Sequence, residues 1–183
     1  NSNTGTDPDH AWKTIQKAMD DASPGSTVFI KAGTYAEHLE LNVSGTAGQP
    51  ITFTSQAGET VIIEGNNQNG TLLYVENQNY FNITGLVFQN TLGNNSAGVI
   101  ITGSSGNFKF NRNAVQGIKW TINPNTVPGS NNNCNPFVVY GDALTSIKNI
   151  VIDSNVIRNN INGFSENLTL DGNVEAFTIS NNK

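Results

Sequence analysis

The sequence is poor in residues that staple, charge or anchor a chain. Its single cysteine, Cys134, excludes an internal disulfide. With no histidine near it in sequence, it reads as an inert thiol of the surface or of an insertion rather than a nucleophile. Only 13% of residues are charged and 36% hydrophobic, so neutral Asn, Ser, Thr, Gln and Gly must build most of the surface. That balance suits a fold whose narrow core needs few apolar residues per unit. No apolar run is long enough to span a bilayer, and no signal peptide is recognisable. An opening Asn1 in place of Met fits a processed secreted protein or a trimmed chain. His10 and His38 lack metal-ligand spacing and read as surface residues. No Lys or Arg occurs between Lys31 and Lys109. Residues 1–92 carry three basic and nine acidic groups and residues 93–183 six and five, for a net charge of −5. This excludes a broad nucleic-acid-binding face but leaves room for a local basic patch late in the chain.

What is present is repetition. FNITGLVF from Phe81, FKFNRNAV from Phe108, IVIDSNVI from Ile150 and FTISNNK from Phe177 start 27, 42 and 27 residues apart. The long interval becomes ordinary once Thr121–Asn135 is set aside as an insertion. Within each copy apolar residues alternate with period two, two residues break the run, and the next position is Leu86, Asn113, Asn155 or Asn182. Short strands joined by a tight bend at such a period mean stacked coils. The aligned asparagines either form a hydrogen-bonded ladder, being tolerant of left-handed backbone, or serve simply as turn formers. Registered repetition favours the ladder, with the side chains turned inward.

Ahead of the coils, Asp9 is placed to cap a helix through Trp12, Ile15, Ala18, Met19 and Ala22, which Pro24-Gly25 ends. It would cover the first coil's apolar cross-section, with Trp12 as packing. Strands are expected at Thr27–Lys31, Ile51–Thr54 and Val61–Glu64, with Ala32-Gly33-Thr34 and Ser44-Gly45-Thr46 as turns. Leu72–Val75, Val99–Thr102, Phe137–Tyr140 and Leu168–Asp171 supply a second strand per coil. The expected architecture is an all-β, right-handed parallel β-helix in one domain, with a capping helix at 9–22, coils over 27–183 and an inserted loop at 121–135. The last copy stops at Lys183 with Phe177 and Ile179 uncovered. Further coils beyond Lys183, or end-to-end self-association, would cover them.

The run Thr14-Ile15-Gln16-Lys17-Ala18, then Pro24-Gly25-Ser26-Thr27-Val28, Ala32-Gly33-Thr34-Tyr35-Ala36-Glu37 and Ser44-Gly45-Thr46-Ala47-Gly48-Gln49-Pro50-Ile51 resembles the opening of β-helix polysaccharide lyases. Both the chondroitinase B and alginate lyase group and the family nine pectate lyases share it. Ser165-Glu166-Asn167-Leu168-Thr169-Leu170-Asp171-Gly172-Asn173-Val174 is closer to the second group. The resemblance implies a secreted protein that binds an acidic, uronate-containing polysaccharide and, if active, cleaves it by β-elimination. That chemistry needs a base and a cation that neutralises the uronate carboxylate, a role calcium fills in the pectate lyases. On this resemblance Lys119 is the candidate base, Trp120, Tyr140 and Arg158 are substrate contacts, and Asp142, Glu166 and Asp171 are candidate calcium ligands. Lys119, Trp120, Tyr140 and Glu166 are expected on one lateral face walled by the insertion. The sequence departs from the family nine pattern in lacking its dense aspartate cluster, and the carboxylates equally suit solvated turns. The alternative function is a non-catalytic structural or adhesive β-helix that stacks end to end.

Overall fold

The computed structural model describes residues 3–183. A 3-10 helix at Pro8–His10 and helix α1 (Ile15–Asp21) lead into strands that rotate among three sheets. The first coil is β1 (Thr27–Ile30), β2 (Gly33–Tyr35) and β3 (Leu39–Leu41), and the second is β4 (Ile51–Ser55), β5 (Val61–Gln68) and β6 (Thr71–Glu76). The third is β7 (Phe81–Thr84), β8 (Leu86–Leu92) and β9 (Ala97–Thr102), and the fourth β10 (Gly106–Asn111), β11 (Ala114–Lys119) and β12 (Asn135–Gly141). The fifth is β13 (Ile147–Asp153), β14 (Val156–Arg158) and β15 (Leu168–Gly172), and β16 (Val174–Ser180) begins a sixth. Sheet A stacks β1-β4-β7-β10-β13-β16, sheet B β2-β5-β8-β11-β14 and sheet C β3-β6-β9-β12-β15. Every pairing between these strands is parallel. The fold is the expected parallel β-helix, of about six turns.

The first halves of the four repeated phrases are the later strands of sheet A, stacked in register: Ile83 beside Phe110, Phe110 beside Ile152, Ile152 beside Ile179. Their alternate side chains fill the prism. The Phe81 and Phe108 rings stack at 4.9 Å with 8° between planes, and Phe110 meets Phe137 edge-on at 4.7 Å. Each such buried ring stabilises the trunk by about 1.5–3 kcal/mol relative to exposure.

The asparagine column is in place and buried at Asn113 and Asn155, but its bonding is not a simple ladder of amides. The Asn113 Oδ1 accepts from the Leu86 N–H (3.0 Å) and its Nδ2 donates to the Ile83 carbonyl (2.9 Å). Asn155 does the same to the Asn113 N–H and the Phe110 carbonyl (both 2.9 Å). Asn182 serves the Asn155 N–H (2.9 Å) and the Ile152 carbonyl (2.8 Å). One amide-to-amide bond accompanies them, from Asn155 to Asn182 at 2.9 Å. Each amide thus satisfies two backbone groups that the previous bend leaves buried. The left-handed residue is the one before, Gly85, Arg112, Ser154 or Asn181, at φ 74, 56, 55 and 54°. The conformational tolerance of asparagine is therefore not why it stands in this column. Leu86 fits because the preceding coil makes no two-residue bend there: Gln56–Thr60 separates β4 from β5.

The N-terminal helix is shorter than expected. Asp7, not Asp9, caps a separate 3-10 turn, accepting from the Asp9 and His10 amides at 3.0 Å each. Helix α1 starts afresh from Thr14, and the carboxylate of Glu37, in the first coil, accepts from the Ile15 (3.1 Å) and Gln16 (2.9 Å) amides. Thr14 is the local cap, its hydroxyl accepting from the Lys17 amide at 3.3 Å, and Glu37 adds a second from more than twenty residues downstream that no local pattern announces. Ile15, Ala18 and Met19 are buried, the helix packs on β3, and Trp12 packs against the core. Gly33 and Thr34, expected in a turn, are strand because they pair with Val61 and Ile62.

Candidate functional site

Long connections cluster at the corner between sheets B and C. Lys119 ends β11 there, half-buried, beside Leu92 of the coil before, and forms no ion pair among the described residues. Trp120 follows, half-buried against the core, with its backbone N–H donated to the Ile161 carbonyl at 3.1 Å. The insertion leaves the trunk at this tryptophan and carries Ile122 and Val127 exposed at 76% and 87%. It returns through Asn133, which bridges to Gly163 of the next coil, and Cys134. Cys134 is buried, not superficial, and burial pushes its thiol up to about 11, which keeps it inert. Glu166 lies in the next coil's B–C connection, exposed, with its carboxylate accepting from the Thr169 hydroxyl at 3.4 Å.

The other candidates stand elsewhere. Tyr140, 38% exposed, is near the far end of β12, about 16 Å of parallel strand from the corner. Asp171 is its neighbour in the next coil. Asp142 accepts from the Thr102 hydroxyl (2.9 Å) and the Gly103 amide (3.0 Å), bonds that hold its carboxyl below the usual range. Arg158 belongs to sheet B and heads a chain of side chains up that face. Its Nε donates to Gln116 (3.0 Å), Gln116 to Gln89 (2.8 Å), and Gln89 to Glu64 (2.8 Å). The corner thus holds Lys119, Trp120 and Glu166, while Tyr140, Asp142 and Asp171 share the opposite end of sheet C.

Among the described residues no three His, Cys, Asp or Glu side chains are grouped so as to hold a metal ion. Glu166, at the B–C corner, is separated from Asp142 and Asp171 at the other end of sheet C, and one Asp142 oxygen already accepts two hydrogen bonds. These residues do not fit a calcium site.

Sequence reasoning missed the earlier part of sheet C. Glu40 and Tyr74 are lateral neighbours, and the Tyr74 hydroxyl donates to Glu76 at 3.3 Å. Desolvation first, then the nearby charges of Glu76, Asp142 and Glu40, raise the Tyr74 phenol. None of the five strands of sheet C contains a Lys or Arg, so this face joins two tyrosines to carboxylates. The signal was the alternation in Leu39-Glu40-Leu41, too short to stand out.

The family described as Pel9A-like, right handed beta helix region, matches residues 1–178. Uncharacterized protein YwoF of Bacillus subtilis (strain 168) is 31% identical over 189 residues, 98% of this chain and 38% of that protein. Pectate lyase PEL9 of Emericella nidulans is 38% identical over 65 residues, 34% of this chain and 16% of its own length. An alginate lyase from Paenibacillus sp. str. FPU-7 shares the fold at a TM-score of 0.59 and 20% identity, over 92% of this chain and 62% of that one. Pectate lyase Pel9A does so at 0.56 and 16%, over 91% and 53%. The chain therefore spans less than two thirds of each of these proteins.

Proposed function

Because the chain belongs to the Pel9A-like right-handed β-helix family, we propose that it is a secreted carbohydrate-active protein that binds an acidic, uronate-containing polysaccharide and, where it acts as an enzyme, splits it by β-elimination. The observation that carries this reading is Lys119, a lysine with no ion pair among the described residues, ending a rigid strand at the foot of the insertion. Long loops on a rigid coil are where such scaffolds carry binding residues. As base, the Lys119 amine takes the proton on the carbon next to the uronate carboxyl. The glycosidic oxygen leaves from the adjacent carbon, and a carbon–carbon double bond remains. Trp120 offers a ring edge beside the reacting sugar, and Tyr140 a platform further along sheet C. No step is assigned to calcium.

The test is incubation with pectate, alginate and chondroitin, with and without calcium, following the ultraviolet absorbance of the unsaturated product. Product formation that Lys119→Ala abolishes is expected. Product formation that survives Lys119→Ala removes the base assignment, and no product from any polymer overturns the lyase reading. The alternative reading is a non-catalytic structural or adhesive β-helix that stacks end to end. Concentration-dependent growth in light scattering, lost in Phe177→Asp, would support it.

A further inference from the structure

The outer face of sheet A carries a groove that the lyase reading does not use. Its floor is a lateral row, Asn82, Lys109 and Val151, each beside the next across β7, β10 and β13. Its wall is a second row, Tyr80, Asn107 and Asn149, one residue ahead of each repeated phrase. All three wall residues have left-handed backbone, φ 57, 53 and 57°. The groove is shallow, about 270 Å³, at the small end of ligand sites and suited to one sugar ring.

Its chemistry is specific. The Asn149 Nδ2 donates to the Asn107 Oδ1 (2.9 Å) and the Asn82 Nδ2 to the Thr52 hydroxyl (3.0 Å). One N–H of each amide is thereby engaged, which orients the side chain, and the carbonyl oxygens of Asn82 and Asn149 remain as acceptors for hydroxyl groups. Lys109 is exposed and forms no ion pair among the described residues, whereas Lys148 faces Glu175 at 3.9 Å and Arg158 is bonded to Gln116. The groove therefore combines an unpaired ammonium, two hydroxyl acceptors and the Tyr80 ring.

We propose that this groove is a second glycan subsite, separate from the Lys119 corner. There Lys109 pairs with the carboxylate or sulfate of one acidic sugar residue, Asn82 and Asn149 accept from its hydroxyls, and Tyr80 lies along the ring. The ligand class rests on the acidic-polysaccharide reading, while the location does not. Lys109 is on an outward strand position, so its replacement leaves the core intact.

The test is an amide-resolved NMR titration of the full chain with digalacturonate, with galactose 6-sulfate and with neutral galactobiose. Saturable shifts at Tyr80, Asn82, Lys109 and Asn149 are expected with at least one anionic probe, and the probe that produces them tells carboxylate from sulfate. Lys109→Met should weaken that binding about tenfold, Lys109→Arg should preserve it, and Lys119→Met should leave it unchanged. Absence of shifts with both anions, shifts that survive Lys109→Met, or equal binding of galactobiose would overturn the proposal. Groove shifts persisting in a chain without lyase activity would separate failure of the catalytic reading from failure of this one.

Discussion

Replacing Asn113 by alanine removes two hydrogen bonds from a place water does not reach. The Leu86 N–H loses its acceptor and the Ile83 carbonyl loses its amide donor, while Asn113 itself is 2% exposed. Leaving a buried polar group unsatisfied costs about 1–3 kcal/mol, so the pair should cost about 2–5 kcal/mol. That is a large part of the roughly 5–15 kcal/mol by which domains are stable. Urea unfolding should show it as a midpoint lowered by about 1–2 M at a slope of about 2–3 kcal/mol/M. The control is Asn69→Ala, which removes one exposed amide bond to the Asn94 carbonyl and should change stability by no more than about 0.5 kcal/mol. Asn113→Asp separates the two bonds. Its carboxylate still accepts from Leu86 but cannot donate to Ile83, whereas the protonated acid can do both. Burial and the facing carbonyl raise the new carboxyl's folded pKa. The deficit against the native chain should therefore be smallest in acid and grow as pH rises through that folded pKa. Equal destabilisation by Asn113→Ala and Asn69→Ala would refute the reasoning.

Two further outcomes follow from the same contacts. Hydrogen bonds from Ser180 first, then Asn181 and Ser154, hold the Asp153 carboxyl below its ordinary value of 3.8. Stability from it is present above that value and lost as pH falls through the depressed folded pKa. Melting temperature against pH should accordingly fall less steeply in acid for Asp153→Asn than for the native chain, and parallel curves would contradict this. At the corner, Gly163 has φ 71°, and a Cβ there would collide with the Asn132 carbonyl and crowd the Trp120 ring. Gly163→Ala should loosen the base of the insertion, seen as faster proteolysis within residues 121–134 and altered tryptophan emission. An unchanged cleavage rate would show that the bridge to Asn133 does not hold the loop.

The fold was legible because a β-helix writes its geometry locally. Phe81, Phe108, Ile150 and Phe177 recur in phase since each must enter the same prism above the one before, and no other constraint would keep them in register across an insertion. The asparagine column was legible as a position but not as a mechanism, because its partners, Ile83, Phe110 and Ile152, belong to neighbouring coils. The start of α1 was misplaced although Thr14 is a local cap, because Asp9 offered an earlier one and the reinforcement from Glu37 of the first coil could not be read locally. Site residues were harder still. Lys119 was visible from the insertion that follows it. Arg158 was expected as a substrate contact, yet it is bonded to Gln116, one coil away. Nor could the row of Glu40, Tyr74 and Glu76 be read without knowing that β3 and β6 are neighbours.

The distribution of charge over the three sheets constrains how an acidic polymer can approach. Sheet C and the turn that follows it present Glu40, Glu76, Asp142 and Asp171, with no Lys or Arg in its strands. A uronate laid along that face meets like charges, each opposing it by about 1 kcal/mol at 4 Å even in water. On sheet B the one arginine is spent on a side-chain chain that ends in Glu64. Among the cations without an ion pair in the described residues, Lys119 stands at the B–C corner and Lys109 on the opposite, sheet A face, with the exposed Arg112 at the bend that follows it. On the function proposed above, attraction of an anionic glycan is expected at Lys119 and at Lys109, with the tyrosines of sheet C offered to sugar rings rather than carboxylates. Binding that depends on two separated cations falls with added salt, and removing either lysine should flatten that dependence without abolishing it.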